Sequence, residues 1–178
     1  MKKIFCLTFL VVFLLCTITS CVDDWWKDDE FSLQKTPYTG NELRLDGYYY
    51  CELPMVTDLY SFEVIFFYRN GICYKFIAHS HEKINEALKN SRKVKLELQK
   101  ANWGLFTING NTIKFEFLYL TDELRKPVFV RKGIVLNDST FHINESYRSD
   151  GSEQSKLDET YHFRQFSPKP DSTNNFIK

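Results

Sequence analysis

The residue types able to do chemistry in this chain are a few glutamates, one histidine-rich segment and two cysteines. Glu63, Glu97, Glu116, Glu145 and Glu159 all sit on segments that read as strands. Two of them meeting across a barrel would form the acid/base pair that a glycosidase needs. No spacing in the sequence joins any two, and charges on the outer face of alternating strands are expected anyway. His79-Ser80-His81-Glu82 places i and i+2 side chains on one side of an extended segment, and imidazole with carboxylate suits zinc. A third or fourth ligand is missing nearby, so these read as loop histidines before a helix and no metal is expected. Cys51 and Cys73 form an even pair. They are either a bridge closing a loop of about 20 residues, worth ~3 kcal/mol, or two buried thiols acting as small hydrophobes. Gly-x-Ser-x-Gly, Walker and His-Glu-x-x-His patterns are absent. The chain therefore reads as a non-enzyme, with no catalytic residue and no cofactor.

Positioning any of these groups falls to short segments rich in Tyr, Phe, Ile, Val and Thr, separated by turn residues. Strands are predicted at 43–53, 61–69, 72–78, 94–99, 103–108, 111–120, 128–136, 139–147 and 157–166. Two hairpins carry a register. Around Asn109-Gly110 a two-residue turn pairs Ile108 with Asn111, Phe106 with Ile113 and Gly104 with Phe115. Phe106, Ile108, Ile113, Phe115 and Phe117 then share a face. Around Asn137-Asp138 the same logic pairs Ile134 with Phe141 and Lys132 with Ile143, so that Ile134, Leu136, Phe141 and Ile143 share a face. In the last strand Leu157, Tyr161 and Phe163 alternate with polar residues. One helix is predicted at 81–91, with Ile84, Ala87 and Leu88 as its apolar stripe and Ser80 as N-cap.

The first twenty residues read as a leader: Lys2 and Lys3, an apolar run over 4–18, then small polar residues before Cys21. The run is shorter than the roughly 20 residues a spanning helix needs. Ile18-Thr19-Ser20-Cys21 resembles a bacterial lipobox. That likeness implies a diacylglycerol thioether on Cys21, cleavage before it, and acylation (palmitate) of the new amine, giving stable membrane anchoring. Residues 21–42 read as an acidic tether, and Asp23-Asp24-Trp25-Trp26-Lys27-Asp28-Asp29-Glu30 resembles the surface-export signals of Bacteroidota lipoproteins. A solvated, self-repelling linker is the alternative reading of the same charges. Trp25 and Trp26 are suited to the headgroup level, or to packing on the domain.

The whole chain carries 23 Lys+Arg against 23 Asp+Glu over 178 residues. Losing Lys2 and Lys3 leaves a mature net charge of −2, which argues against a nucleic-acid partner. Aromatics at 16% exclude wholesale disorder. Residues 43–167 make one domain, and 168–178, with two prolines, reads as a loosely ordered tail.

Leu43–Tyr50 (LRLDGYYY), Trp103–Glu116 (WGLFTINGNTIKFE) and Arg131–Ile143 (RKGIVLNDSTFHI), placed after a lipobox, look like the small lipocalin-like lipoproteins of Bacteroidota. The resemblance implies an all-β, antiparallel up-and-down barrel of eight or nine strands with one short helix, located at the outer membrane. It also implies an interior able to hold a small apolar or amphipathic ligand among Phe62, Phe66, Phe76, Phe106, Phe115 and Phe117. The rival expectation is an accessory lipoprotein that contacts another envelope protein through the barrel exterior, its rings filling the interior.

Overall fold

Tyr, Phe, Ile and Val crowd both alternating positions of several segments, so those strands must bury two faces rather than one. The arrangement that achieves this is seen in a computed structural model, which describes residues 27–53, 61–90, 100–121 and 125–177. In chain order it contains β1 (Gly47–Leu53), β2 (Ser61–Phe67), β3 (Ile72–Ala78), α1 (His81–Asn90), a 3-10 turn (Lys100–Asn102), β4 (Trp103–Asn109), β5 (Thr112–Leu118), β6 (Val128–Asn137), β7 (Thr140–Arg148) and β8 (Ser155–Gln165). Each strand pairs antiparallel with the next, and β8 returns to β1 through Gly47–Gln165 and Tyr49–Phe163, closing the barrel. This is the up-and-down architecture expected, with one short helix. The leader, Cys21, Trp25, Trp26, Glu97 and the strand expected at 94–99 lie outside the described residues.

The inward face collects Tyr49, Cys51, Ile65, Phe67, Cys73, Phe106, Ile113, Phe115, Phe117, Phe141, Ile143 and Tyr161, all buried. Their rings touch edge-on and tilted, as aromatic quadrupoles prefer: Phe67 lies 4.8 Å from Phe106, and Tyr49 5.2 Å from Phe141. One barrel end, where the β2–β3, β4–β5 and β6–β7 turns gather, is closed by Tyr38 and Leu43. Tyr38 stacks against Phe106, and its hydroxyl accepts the Leu43 N–H at 3.0 Å.

Outside, the faces of β1–β4 form a second apolar cluster that includes Tyr48, Phe62, Val64, Phe66, Tyr74, Trp103 and Leu105. Helix α1 covers it with Ile84 and Leu88, two of the three stripe positions expected. The Ser80 hydroxyl accepts the Lys83 N–H at 3.2 Å, so the predicted N-cap forms. The C-terminal stretch adds Phe166, Phe176 and Ile177 to the same cluster, so the tail expected to be loose packs onto the barrel instead.

The two hairpins depart from their expected registers in different ways. The first pairs Asn109 with Thr112, Ile108 with Ile113 and Phe106 with Phe115. Its central residues are Gly110 and Asn111, with positive φ (59°) at Gly110 alone, as a II′ turn needs. The slide is two residues, so every expected face survives. The second pairs Asn137 with Thr140 and Val135 with Phe141, with an irregularity between those pairs. This slide is odd-numbered and turns β6 over. Ile134 and Leu136 are exposed, and the inward positions pass to Phe129, Arg131, Gly133 and Val135. Gly133 admits no larger residue, because a Cβ there would lie 1.9 Å from the His142 carbonyl oxygen.

Cys51 and Cys73 are buried free thiols, the second of the two readings. Cys51 pairs with Glu63 and Cys73 with Phe67 on the intervening strand. Two strand spacings across and four residues along put their Cα atoms roughly 16 Å apart. A disulfide spans less than about 7 Å.

Lys169, on the C-terminal stretch, donates to the Leu45 carbonyl at 2.9 Å and to the Phe67 carbonyl, and lies 4.2 Å above the Tyr68 ring. Burial lowers its pKa to about 8, with Asp46 opposing. An unfolded lysine titrates near ~10.4. Between those values the unfolded chain holds a proton that the folded one has released, so this group's contribution to stability rises as pH climbs from about 8 to about 10.4. Urea unfolding should show the stability of wild type relative to Lys169→Met growing by roughly 2 kcal/mol between neutral pH and pH ~10.

Candidate functional site

An arginine on the inner face of a barrel must find carboxylates there or lose its solvation uncompensated. Arg131 finds two. Its Nη1 donates to Glu63 Oε1 on β2 at 3.0 Å and to Glu159 Oε2 on β8 at 2.8 Å. It also donates to the Tyr161 hydroxyl at 2.8 Å. That hydroxyl lies 3.0 Å from Glu63 and 3.1 Å from Glu159, within reach of donating to either. Strands β2, β6 and β8 thus meet through side chains across the interior.

Each member has a local reason for its place. Glu63 shares the inward face of β2 with Ser61, Ile65 and Phe67. Glu159 stands between Leu157 and Tyr161 on the inward face of β8. Arg131 is inward because of the odd-numbered slide in β6, opposite Phe115 on β5 and Ser146 on β7. Lys75, on β3, joins from the same interior, with its ammonium 4.5 Å from the Phe117 ring and 4.0 Å from the Tyr119 ring.

The two carboxylates are shifted in opposite directions. Burial would raise Glu63, but Lys75, Arg131 and the Tyr161 hydroxyl outweigh it and hold it below the usual range. Glu159 is raised by burial and by the Glu63 charge, against the pull of Arg131. Burial also opposes the charge on Arg131, yet the surrounding acids raise its pKa. The cluster therefore sets a carboxylate whose charge is favoured beside one whose charge burial disfavours. Among the described residues, only Nη1 of the guanidinium is engaged in hydrogen bonds.

Depth distinguishes the members. The Glu63 side chain is 3% exposed, against 12% for Arg131 and 15% for Glu159. Toward the barrel end opposite the Tyr38 plug lie the partly buried Leu53, Tyr119 and Leu157.

The six rings expected to line a ligand divide evenly. Phe106, Phe115 and Phe117 face inward but are buried in ring-to-ring contact, Phe106 toward the Tyr38 plug and Phe115 and Phe117 at the level of the ion cluster. Phe62, Phe66 and Phe76 belong to the outer cluster beneath α1 and the C-terminal stretch. Both faces of β2 are apolar apart from Ser61 and Glu63, so alternation there carried little signal for which face turns inward. Glu63 itself was that signal, as was Glu159 between two apolar neighbours of the same face. His81 packs on Phe62 at 4.4 Å and Tyr50 at 5.3 Å. Burial pushes the Cys51 thiol up to about 12 and Cys73 well above its ordinary value, as expected of inert thiols.

Glu116 and Glu145 take unrelated roles. Glu145 pairs with Lys132 on the exterior at 3.0 Å. Glu116 faces outward from β5 and is fully buried by the N-terminal stretch: it accepts the Ser32 N–H at 3.0 Å, the Ser32 hydroxyl at 2.9 Å and the Leu33 N–H at 2.7 Å. Burial raises its pKa against those three donors.

No protein-family model, curated protein or solved structure matches this chain. The interior cluster therefore has to be read from its own chemistry. Arg131→Met should destabilise the domain by about 3–5 kcal/mol at neutral pH, since it leaves Glu63 and Glu159 without their shared counter-ion. The deficit should shrink as pH falls toward ~4, where protonation removes the unpaired charge. Urea titrations of both proteins at the two pH values check it.

Proposed function

We propose that the chain is a lipid-anchored binding protein of the bacterial cell envelope, held at the outer membrane through Cys21. It takes the polar head of a small amphiphile at the barrel end opposite the Tyr38 plug. The reading rests on one observation: a nearly buried guanidinium, inside the barrel, whose Nη2 and Nε make no hydrogen bond to the described residues. A planar fork of unused N–H donors, with Lys75 beside it, suits a carboxylate or phosphate head. Leu53, Tyr119 and Leu157 supply apolar surface for the adjoining chain. The interior is packed with rings, so the ligand is short or reaches only partway in. Glu63 and Glu159 are committed to Arg131 and Tyr161, an arrangement suited to holding charge rather than to transferring protons, so the proposal is non-catalytic.

Native mass spectrometry of the protein purified from its own cells tests carriage. An adduct should accompany the wild type, vanish on denaturation and be reduced in Lys75→Met. A bare mass in repeated preparations would refute carriage and favour the accessory role, for which Ile134 and Leu136 offer an exposed outward pair on β6. Anchoring is tested by palmitate labelling, which should be present in the wild type and lost in Cys21→Ser.

A further inference from the structure

The residues between the proposed anchor and the barrel do not hang free along their length. Asp28 accepts from Lys100 Nζ at 3.0 Å and from the Lys126 N–H at 3.2 Å. Asp29 accepts from Arg148 Nε at 2.6 Å and from the Val128 N–H at 3.3 Å, pairs with Arg125 at 2.6 Å, and donates its own N–H to the Lys126 carbonyl at 2.9 Å. All these partners stand where β4 and β6 begin and β7 ends, the barrel end opposite the Tyr38 plug. From there the strap runs past Glu116 on β5 to the opposite end, where the Tyr38 N–H meets the Arg69 carbonyl at 2.9 Å. Of the tether read at 21–42, the described residues from Asp28 onward are thus a latched strap, whose upstream end lies at the barrel end opposite the Tyr38 plug.

Covalent geometry gives this a consequence. A free tether over residues 21–42 would reach up to about 75 Å, whereas six residues from Cys21 to Lys27 reach only about 20 Å. The same end presents two large apolar side chains to solvent, Ile77 at 50% and Leu120 at 68% exposure. Lys100 and Arg125, at the same end, are engaged by Asp28 and Asp29.

We propose that the barrel stands with this end down on the phospholipid surface that holds Cys21, with Ile77 and Leu120 at the headgroup level. An amphiphile can then pass between bilayer and Arg131 without crossing bulk water. This rests on the anchoring part of the proposed function but not on carriage. Exposed apolar side chains at the end from which a short lipidated segment departs suit burial at the headgroup and acyl-chain boundary. The turn end, which carries Leu136, faces away, separated by the length of the strands, about 25–30 Å.

The test uses the full lipidated chain in vesicles of phosphatidylethanolamine with phosphatidylglycerol as the minor component, containing brominated acyl chains. A fluorophore is placed on Leu120→Cys, on Ile77→Cys or on Leu136→Cys; Cys51 and Cys73 are buried and do not compete. Quenching should be several-fold stronger at 120 and 77 than at 136. Equal quenching, or stronger quenching at 136, in protein that floats with the vesicles would overturn the orientation and leave the anchor standing. Protein that fails to float would overturn the anchor and the orientation together. Neither result bears on the adduct seen by mass spectrometry.

Discussion

Pairing of β8 with β1 is the constraint on which the rest of the molecule depends. Closing the sheet removes its free edges and commits alternate residues of every strand to an interior that eight strands make just wide enough for side chains. Whatever faces inward must then be packed or neutralised. The barrel meets this with interlocking rings and with an ion cluster set among them. Both solutions join strands that are not neighbours in the sheet: Phe67 touches Phe141, and Glu63 touches Arg131.

Closure also leaves an outer surface that is apolar along β1–β4. Three pieces that are not part of the sheet cover it, or the strands next to it: α1, the C-terminal stretch and the N-terminal strap. The strap is held by carboxylates in two opposite senses. Asp28 and Asp29 reach from the strap to cations and N–H groups on the barrel, and Glu116 reaches from the barrel to N–H groups on the strap. A buried acceptor opposite a backbone donor costs much to separate, because each would be left without a partner. The polar groups thus fix the strap's path where apolar contact alone would let it slide.

The interior cluster has a different character. A buried ion group is weak evidence for stability, since a well-packed apolar core of the same volume is often at least as stable. This barrel has the rings to build such a core, and it sets the ion cluster among them, with Phe115 beside Tyr161 and Lys75 over Phe117 and Tyr119. Retaining Arg131 and Lys75 with two carboxylates gives the interior a polarised level, with pKa shifts in opposite directions at Glu63 and Glu159. That level distinguishes this interior from a merely filled barrel.

Strand positions, the helix with its Ser80 cap and the closed antiparallel architecture were legible in the sequence, because alternation, turn residues and capping are local signals read over a few residues. The first hairpin shows how far such signals reach: its register slid by two residues, and every inward residue stayed inward. The second slid by an odd number, and that single change moved Arg131 inside and Ile134 and Leu136 out. Tertiary structure alone decided which face of the doubly apolar β2 turned inward, that Cys51 and Cys73 lie too far apart to join, and that Asp28 and Asp29 latch onto the barrel. It also decided that Glu63 and Glu159, 96 positions apart in the chain, share one guanidinium. The physical reason is common to all of these. Side-chain period in a strand is two, so face assignment depends on the parity of a bulge that only pairing across the sheet can set.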